Sequence, residues 1–432
     1  MGFLFKCKKY KQKVGREGKK DNILQRKIHY AWFICASATL LLFATVGMLS
    51  NAFTVFQPYV IKANGFTNTQ GSSIITIRNL TSLCIVFFIG RIYDNISLRH
   101  GITFSVFLAA FSFMLYGSAH SFLVYCLAAG LSGLAITLGG MIPASVLLIS
   151  WFKDHRALAM GICAAGTGMA STIAPPLVTK IIENFSLAVA FYVIVGIELF
   201  CAVIIYCLVR DKPEDMGLEI FTAGKSTEQA KSIGKRKISK TVQLSKHQLY
   251  RMMLAMFLIG TAINTAYGHY AVLYKTEGYD SMTVALALSF FGAVLIAGKC
   301  LCGQVMDWIG AYRTNFIFCG MLVIGIALCG LAPTHSTIIL ILAMLLTGLG
   351  FPVTTVGLSV WAADLSTPET YTTTLKNLQM ASMVGTLAYS LVPGIVADST
   401  GSYAPSYWAM ALFIALCTFL VQKTYRECGK TK

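Results

Sequence analysis

From Ala31 onward the chain is a succession of long apolar runs separated by short polar breaks. Each run holds about 20 residues or more, enough for a helix rising 1.5 Å per residue to cross a ~30 Å hydrocarbon layer. Twelve spans are expected, at 30–61, 70–92, 101–119, 121–151, 157–182, 187–209, 250–274, 282–306, 314–332, 336–363, 370–397 and 404–423. The first follows a basic segment, as the core of a signal peptide would. Its apolar run from Ala31 to Ile61 far exceeds the 7–15 residues of such a core, so it is read as a retained helix.

One polar, Lys-rich stretch, Asp211–Gln248, divides the spans six and six. The expected organisation is a basic N-terminus (1–28), a six-helix bundle (29–209), a linker (210–249), a second six-helix bundle (250–424) and a short tail (425–432). Landmarks recur between the bundles. Gly90-Arg91-Ile92-Tyr93-Asp94 closes span 2, and Gly303-Gln304-Val305-Met306-Asp307 closes span 8, 213 residues later. Trp151-Phe152-Lys153-Asp154 and Trp361-Ala362-Ala363-Asp364 close spans 4 and 10, 210 residues apart. Internal repeats of this kind occur in secondary transporters, whose substrates bind near the midplane between the repeats.

Composition excludes a soluble class. The chain is 56% hydrophobic and 12% charged, with mean hydropathy +0.67. Soluble domains carry about 25% charged residues, and so little charge cannot cover a water-facing surface of this size. The chain is therefore read as an all-α membrane protein of twelve transmembrane helices in two pseudo-symmetric bundles.

A net charge of +17 would fit nucleic-acid binding if it were spread over a folded face. Instead ten of the 35 Lys and Arg lie between Lys6 and Lys27, and ten between Arg210 and Arg251. With both termini cytoplasmic, 29 basic residues fall inside and only Lys62, Lys180 and Lys275 outside. That bias fixes the expected orientation, and no nucleic-acid partner is expected. The 13 cysteines fall mostly within apolar runs, where they act as small hydrophobes. Cys300 and Cys302 lack the spacing and His neighbours of a metal site. No cofactor or metal is expected. The absence of a nucleophile elbow or phosphate-binding loop argues against an enzyme.

The last three basic residues, Arg78, Lys299 and Lys376, stand inside spans. Lys299 is eight residues before Asp307, and Lys376 eight after Pro368, so each lies roughly 12 Å from its span's cytoplasmic end. The two ammonium groups therefore share one depth. A charge at the bilayer centre costs about 2.5–3.5 kcal/mol on insertion scales and normally faces a cavity. An anionic ligand between the two would account for them; so would snorkelling to the interface. Arg78 sits 16 residues before Asp94, roughly 24 Å from that face. It is placed to receive an anion from the outer vestibule, to snorkel outward or to cap a neighbouring helix. Glu198 is the acid deepest in a span, with a structural hydrogen bond and a proton relay as its two readings.

The stretch Gly90-x-x-x-Asp94-x-x-x-x-Arg99 resembles the loop signature of the major facilitator superfamily, and Gly303-x-x-x-Asp307-x-x-Gly310-x-x-Arg313 matches it better. An acid at a helix end pairing with nearby bases latches one conformation, so these residues are expected to form the latch. Three further stretches narrow the resemblance: Asn51–Phe56 with Pro58 and Asn64-Gly65-Phe66-Thr67, Trp151–Gly161, and Lys212–Leu218. Together they resemble the oxalate:formate antiporter family and the monocarboxylate transporters. The resemblance implies carboxylate binding by basic residues on spans 8 and 11, here Lys299 and Lys376. Relatives usually carry Arg at the first position, and a compact ammonium lacks the bidentate fork a carboxylate prefers. It further implies that Gln57, Tyr59 and Asn51 on span 1, Asn264, Tyr267 and His269 on span 7, and Trp361 on span 10 lie on cavity-lining spans. Gly130, Gly133, Gly139, Gly140, Gly166 and Gly168 read as close packing sites between helices.

The expected activity is transport of small carboxylate anions, of the oxalate/formate or lactate/pyruvate kind, by alternating access in the plasma membrane, with the protein a monomer. Exchange is favoured over proton symport because no central acid is well placed. Symport would need Glu198 or a desolvated lysine as proton carrier. A transporter-like sensor signalling through the linker is the third reading. The topology has a direct check: in a cysteine-free chain, a single cysteine replacing Ser232 should react with an impermeant maleimide only from the cytoplasmic side. Reaction from outside would invert the orientation.

Overall fold

The computed structural model describes residues 29–153, 155–222, 245–367 and 370–429. The basic N-terminal segment, Pro368 and the middle of the linker with Ser232 lie outside the described residues. Eleven of the described helices are long and apolar enough to cross a membrane, or twelve when one bent pair is read as a single span. In order they are α1 (Ala31–Asn64), α2 (Asn68–Val86 with Ile89–Asn95), α3 (Leu98–Ser118), α4 (Phe122–Trp151), α5 (Leu158–Asn184), α6 (Leu187–Leu208), α7 (Lys246–Thr276), α8 (Ser281–Met306), α9 (Trp308–Cys329), α10 (Thr337–Asp364), α11 (Thr373–Thr400) and α12 (Ala404–Glu427). No strand occurs among the described residues. With twelve spans, the start of α1 and the end of α12 lie at one face of the bundle, the terminal face; the other is the far face.

The spans are less regular than an apolar pattern implies. Helix α2 is bent by 60° where Phe88 N–H bonds the Ile85 carbonyl, a three-residue step that interrupts the helical ladder. Helix α1 is π-helical from Phe43 to Ala52. Helix α4 breaks at Gly139–Gly140, and α10 passes through a tight turn at Phe351–Thr354 carrying Pro352. Helices α8 and α9 are separate spans that meet at a sharp kink at Gly310, within the expected break at 307–313; its φ of 81° is one that glycine adopts without steric cost. Non-helical backbone at membrane depth survives only where protein or water surrounds it.

Close approach of backbones depends on several of the expected glycines. A Cβ at Gly133 would strike the Arg78 carbonyl oxygen, at Gly139 the Thr45 and Ser105 side chains, at Gly166 the Thr39 carbonyl, and at Gly168 the Ile296 side chain. Gly130 has only an ordinary contact, 3.7 Å from Thr81 Oγ1, and a Cβ at Gly140 would meet its own helix at Ile136, so neither is a packing site between helices. In the last six spans Gly260 and Gly385 do the same work, pressing α7 and α11 together at Ser382 and Phe257.

At the terminal face, the start of the linker is fixed to the first six spans. Trp151 Nε1 donates to the Arg210 carbonyl at 3.0 Å. Phe221 pairs its backbone with Trp151 and Lys153, and its ring sits among His29, Trp32 and Phe152.

The two sets of six spans meet along α5 and α8 at mid-depth, where Ser289 donates to the Thr172 carbonyl at 2.6 Å, and at the far face. Asp398 on α11 accepts from the backbone N–H groups of Asn68 and Thr69, both at 2.8 Å, at the N-terminus of α2. Tyr403 donates to Asn68 Oδ1 at 3.0 Å, and Thr76 pairs with Ser390 at 2.9 Å. Toward the terminal face, nothing lies within 4 Å of where a Cβ would stand at Gly90, Gly161 or Gly303. Asn264 and Lys376 are exposed. Contacts thus close the far face, and at the terminal face, the open side, no hydrogen bond joins the two sets among the described residues. Because a carboxylate at a helix N-terminus is worth about 1 kcal/mol, Asp398→Asn should loosen that closure about fivefold. A cysteine replacing Ile75, in a cysteine-free chain, should then label several-fold faster from the far side. Unchanged labelling would separate the Asp398 contact from closure.

Candidate functional site

Arg78 lies midway along α2 and is 7% exposed. Its Nη1 donates to the Leu49 carbonyl at 2.7 Å, within the π-helical stretch of α1, while its Nε is buried with no hydrogen-bond partner. The phenols of Tyr116 and Tyr267 lie within its electrostatic reach. Lys299, on α8, turns to the other set of spans: its ammonium donates to the Ala164 carbonyl and to Thr167 Oγ1 on α5, both at 3.2 Å. Lysine has three donors, so one remains. Neither cation is paired with an acid among the described residues.

A chain of neutral polar groups runs from Lys299 toward Arg78. Thr167, bonded to Lys299, gives its carbonyl to Asn51 Nδ2 at 3.2 Å, and Asn51 Nδ2 also donates to Ser171 Oγ at 2.8 Å. Ser171 meets the Tyr267 hydroxyl at 3.0 Å, and Tyr267 lies within electrostatic reach of Arg78. Helices α1, α5, α7 and α8 thus bring their polar side chains to one central strip. Tyr267 also packs against Tyr270, Phe291 and Phe351, which form an aromatic wall beside it. Toward the far face, His269 Nδ1–H donates to the Thr265 carbonyl at 2.9 Å, so in the neutral ring Nε2 accepts from the Ser72 hydroxyl, also at 2.9 Å. A group bound in this strip would meet two cations, several hydroxyls and ring faces, which is a setting for an anion with an organic body.

The other expected site residues are distributed unevenly. Gln57 is buried near Gly71 of α2, with both amide atoms lacking partners. Tyr59 lies at the far end of α1, its hydroxyl likewise without a partner. Asn264 donates to Thr386 Oγ1 on α11 at 2.9 Å and is exposed to the open side. Lys376 is exposed and makes no hydrogen bond or ion pair among the described residues, so the structure does not join it to Lys299. Trp361 does not face the strip. It is fully buried and donates from Nε1 to Asn315 Oδ1 at 2.9 Å, tying α10 to α9. Glu198 is fully buried on α6 with both carboxyl oxygens lacking partners, which leaves the expected structural hydrogen bond unmade.

Nor are the expected latch residues joined. Asp94 is exposed, with no hydrogen bond or ion pair among the described residues. Arg99 is engaged instead with α6: Nε and Nη2 donate to the Tyr206 carbonyl at 3.0 and 2.8 Å, and the guanidinium stacks 4.2 Å from the Tyr206 ring. Arg313 points to the outer side of α9, toward α12. Asp307 is helical, and its side chain lies outside those described.

Sequence reading missed Thr167, Ser171 and Ser72. A Ser or Thr within an apolar helix ordinarily bonds its own i−4 carbonyl, as Ser171 also does to Thr167, so it gives no sign of a partner on another helix. The available signal was the spacing of Thr167 and Ser171 by four residues, which places both on one face of α5.

The chain is 24% identical over 378 residues to an MFS-type transporter of Gibberella moniliformis, covering 85% of each chain. It is 25% identical over 312 residues to monocarboxylate transporter 13 of Rattus norvegicus, covering 71% of this chain and 68% of that one. Its fold superposes on the crystal structure of the nucleoside transporter NupG with a TM-score of 0.70 at 11% identity, over 92% of this chain and all of that one. The profile of the Major Facilitator Superfamily matches residues 38–374, more than three quarters of the chain, and the protein belongs to that superfamily of transporters.

Proposed function

We propose that the protein moves small carboxylate anions across the membrane by alternating access, exchanging one carboxylate for another, with its termini in the cytoplasm. The observation that carries this is the pair of membrane-interior cations, Arg78 and Lys299, bonded only to neutral oxygens, with a hydrogen-bonded chain from Lys299 through Thr167, Asn51 and Ser171 to Tyr267. A desolvated cation without an acidic partner is costly, and a carboxylate entering the strip offsets that cost. Likeness to a monocarboxylate transporter supports the same ligand class. Lys376, exposed near the terminal end of α11, is where the anion is first met from the cytoplasm, and Asn264 of α7, bonded to Thr386, lies deeper along α11.

Proton-coupled symport of a monocarboxylate is the second reading, and Glu198 favours it: a fully buried carboxyl with two unpartnered oxygens has room for a proton. The two readings differ in what drives uptake. In proteoliposomes, exchange requires unlabelled carboxylate inside and is indifferent to an imposed pH gradient, whereas in symport the gradient alone drives labelled lactate inward.

Counterflow of labelled oxalate or lactate is therefore the test. Loss of one charge-assisted hydrogen bond costs about 1.5–3 kcal/mol, so Lys299→Gln, Lys376→Gln and Arg78→Gln should each weaken apparent affinity roughly tenfold to a hundredfold. The two lysine losses should roughly add in the double variant, because the anion meets the two separate groups in turn. Lys299→Arg should retain transport. If both lysine-to-Gln variants transport at the parent rate, the carboxylate site is wrong and the lysines are snorkelling residues.

A further inference from the structure

On the outer wall of the bundle, at the terminal end of α9 and α12, lies a groove of about 590 Å³. Its walls are apolar: Phe316 and Phe419 are 69% and 63% exposed, with Ile317 between them. Its floor is closed by Gln422, whose Nε2 donates to the Tyr312 carbonyl at 2.8 Å and whose Oε1 is buried without a partner. Arg313 and Arg426 stand at the rim. Both are exposed, and neither makes an ion pair among the described residues. The acid next to Arg426 in sequence, Glu427, is already bound to Arg251 at 2.7 Å, so its charge is spent elsewhere.

From this arrangement we infer a binding site for one anionic phospholipid of the leaflet at the terminal face. Its phosphate lies between Arg313 and Arg426, and an acyl chain lies along Phe316 and Phe419. The groove opens onto the lipid-facing surface rather than the central strip, so its apolar wall is covered by hydrocarbon. Charge complementarity selects among lipids, because basic pockets between spans on this side bind anionic headgroups. A zwitterionic headgroup would leave two guanidinium groups over a net-neutral partner. A soluble anion would leave the aromatic wall uncovered. The site also gives Arg313 a ligand of its own, separate from the latch its sequence position implies. The inference rests on the membrane reading and is independent of the carboxylate reading.

The test is native mass spectrometry of the full-length protein, purified in a neutral detergent and offered equal amounts of phosphatidylglycerol and phosphatidylcholine with identical acyl chains. The parent should retain phosphatidylglycerol about tenfold over phosphatidylcholine. Arg313→Gln with Arg426→Gln should abolish that preference, while Lys153→Gln with Lys212→Gln, on the same face, should keep it. Folding of each variant is checked by its thermal midpoint. Because both arginines are exposed, the single variants Arg313→Gln and Arg426→Gln serve if the double one is unstable, each lowering the preference several-fold. Equal retention of both lipids by the parent, or an undiminished preference in the arginine variants, overturns the site. So does displacement of phosphatidylglycerol by an equal concentration of glycerol phosphate, which would assign the arginines to a soluble phosphate.

Discussion

The rest of the structure depends on one constraint: in hydrocarbon no water stands ready to bond a backbone group that its own helix has left free. Regular helices satisfy it automatically, and most of each span is regular. The exceptions are informative because each needs protein around it. In α1 the π-helical stretch from Phe43 to Ala52 lies beside α5, and the Leu49 carbonyl within it accepts the Arg78 guanidinium. An irregular backbone and a buried cation thus answer each other's needs. The close approach of α4 at Gly133 fixes the backbone of Arg78 from the opposite side.

The contacts between the two sets of spans are of a matching kind. Hydroxyls, amides, one imidazole and one carboxylate on backbone N–H groups close the far face, and no ion pair between the sets occurs among the described residues. The neutral hydrogen bonds contribute about 1 kcal/mol each and those to the Asp398 carboxylate about 1.5–3 kcal/mol, little enough to be broken and remade during a transport cycle. A seam of buried ion pairs would hold one state far more firmly, since parting them leaves uncompensated charge.

Much of this was legible in the sequence, for a physical reason. The spans were, because their length follows from the bilayer acting on the chain one segment at a time. Arg78 and Lys299 were legible as well, because a charge in an apolar run is conspicuous whatever surrounds it. Partner choice was not. Trp361 looked like a wall of the cavity and instead bonds Asn315, and Arg99 looked like a partner for Asp94 and instead lies on Tyr206. Helical periodicity says which residues share a face, but which helix that face meets depends on packing across the whole bundle. The bend in α2 escaped for a related reason, since apolar patterns record burial and not backbone direction.

The two bonds from Lys299 to α5 carry a kinetic corollary. If arriving cargo draws the ammonium away from Ala164 and Thr167, cargo and seam become competitors for the same three protons. The vacant carrier is then the clamped one, and the loaded carrier is released to swing. A protein built this way makes few unproductive return journeys, and the gradient on one side is coupled tightly to the load brought back from the other.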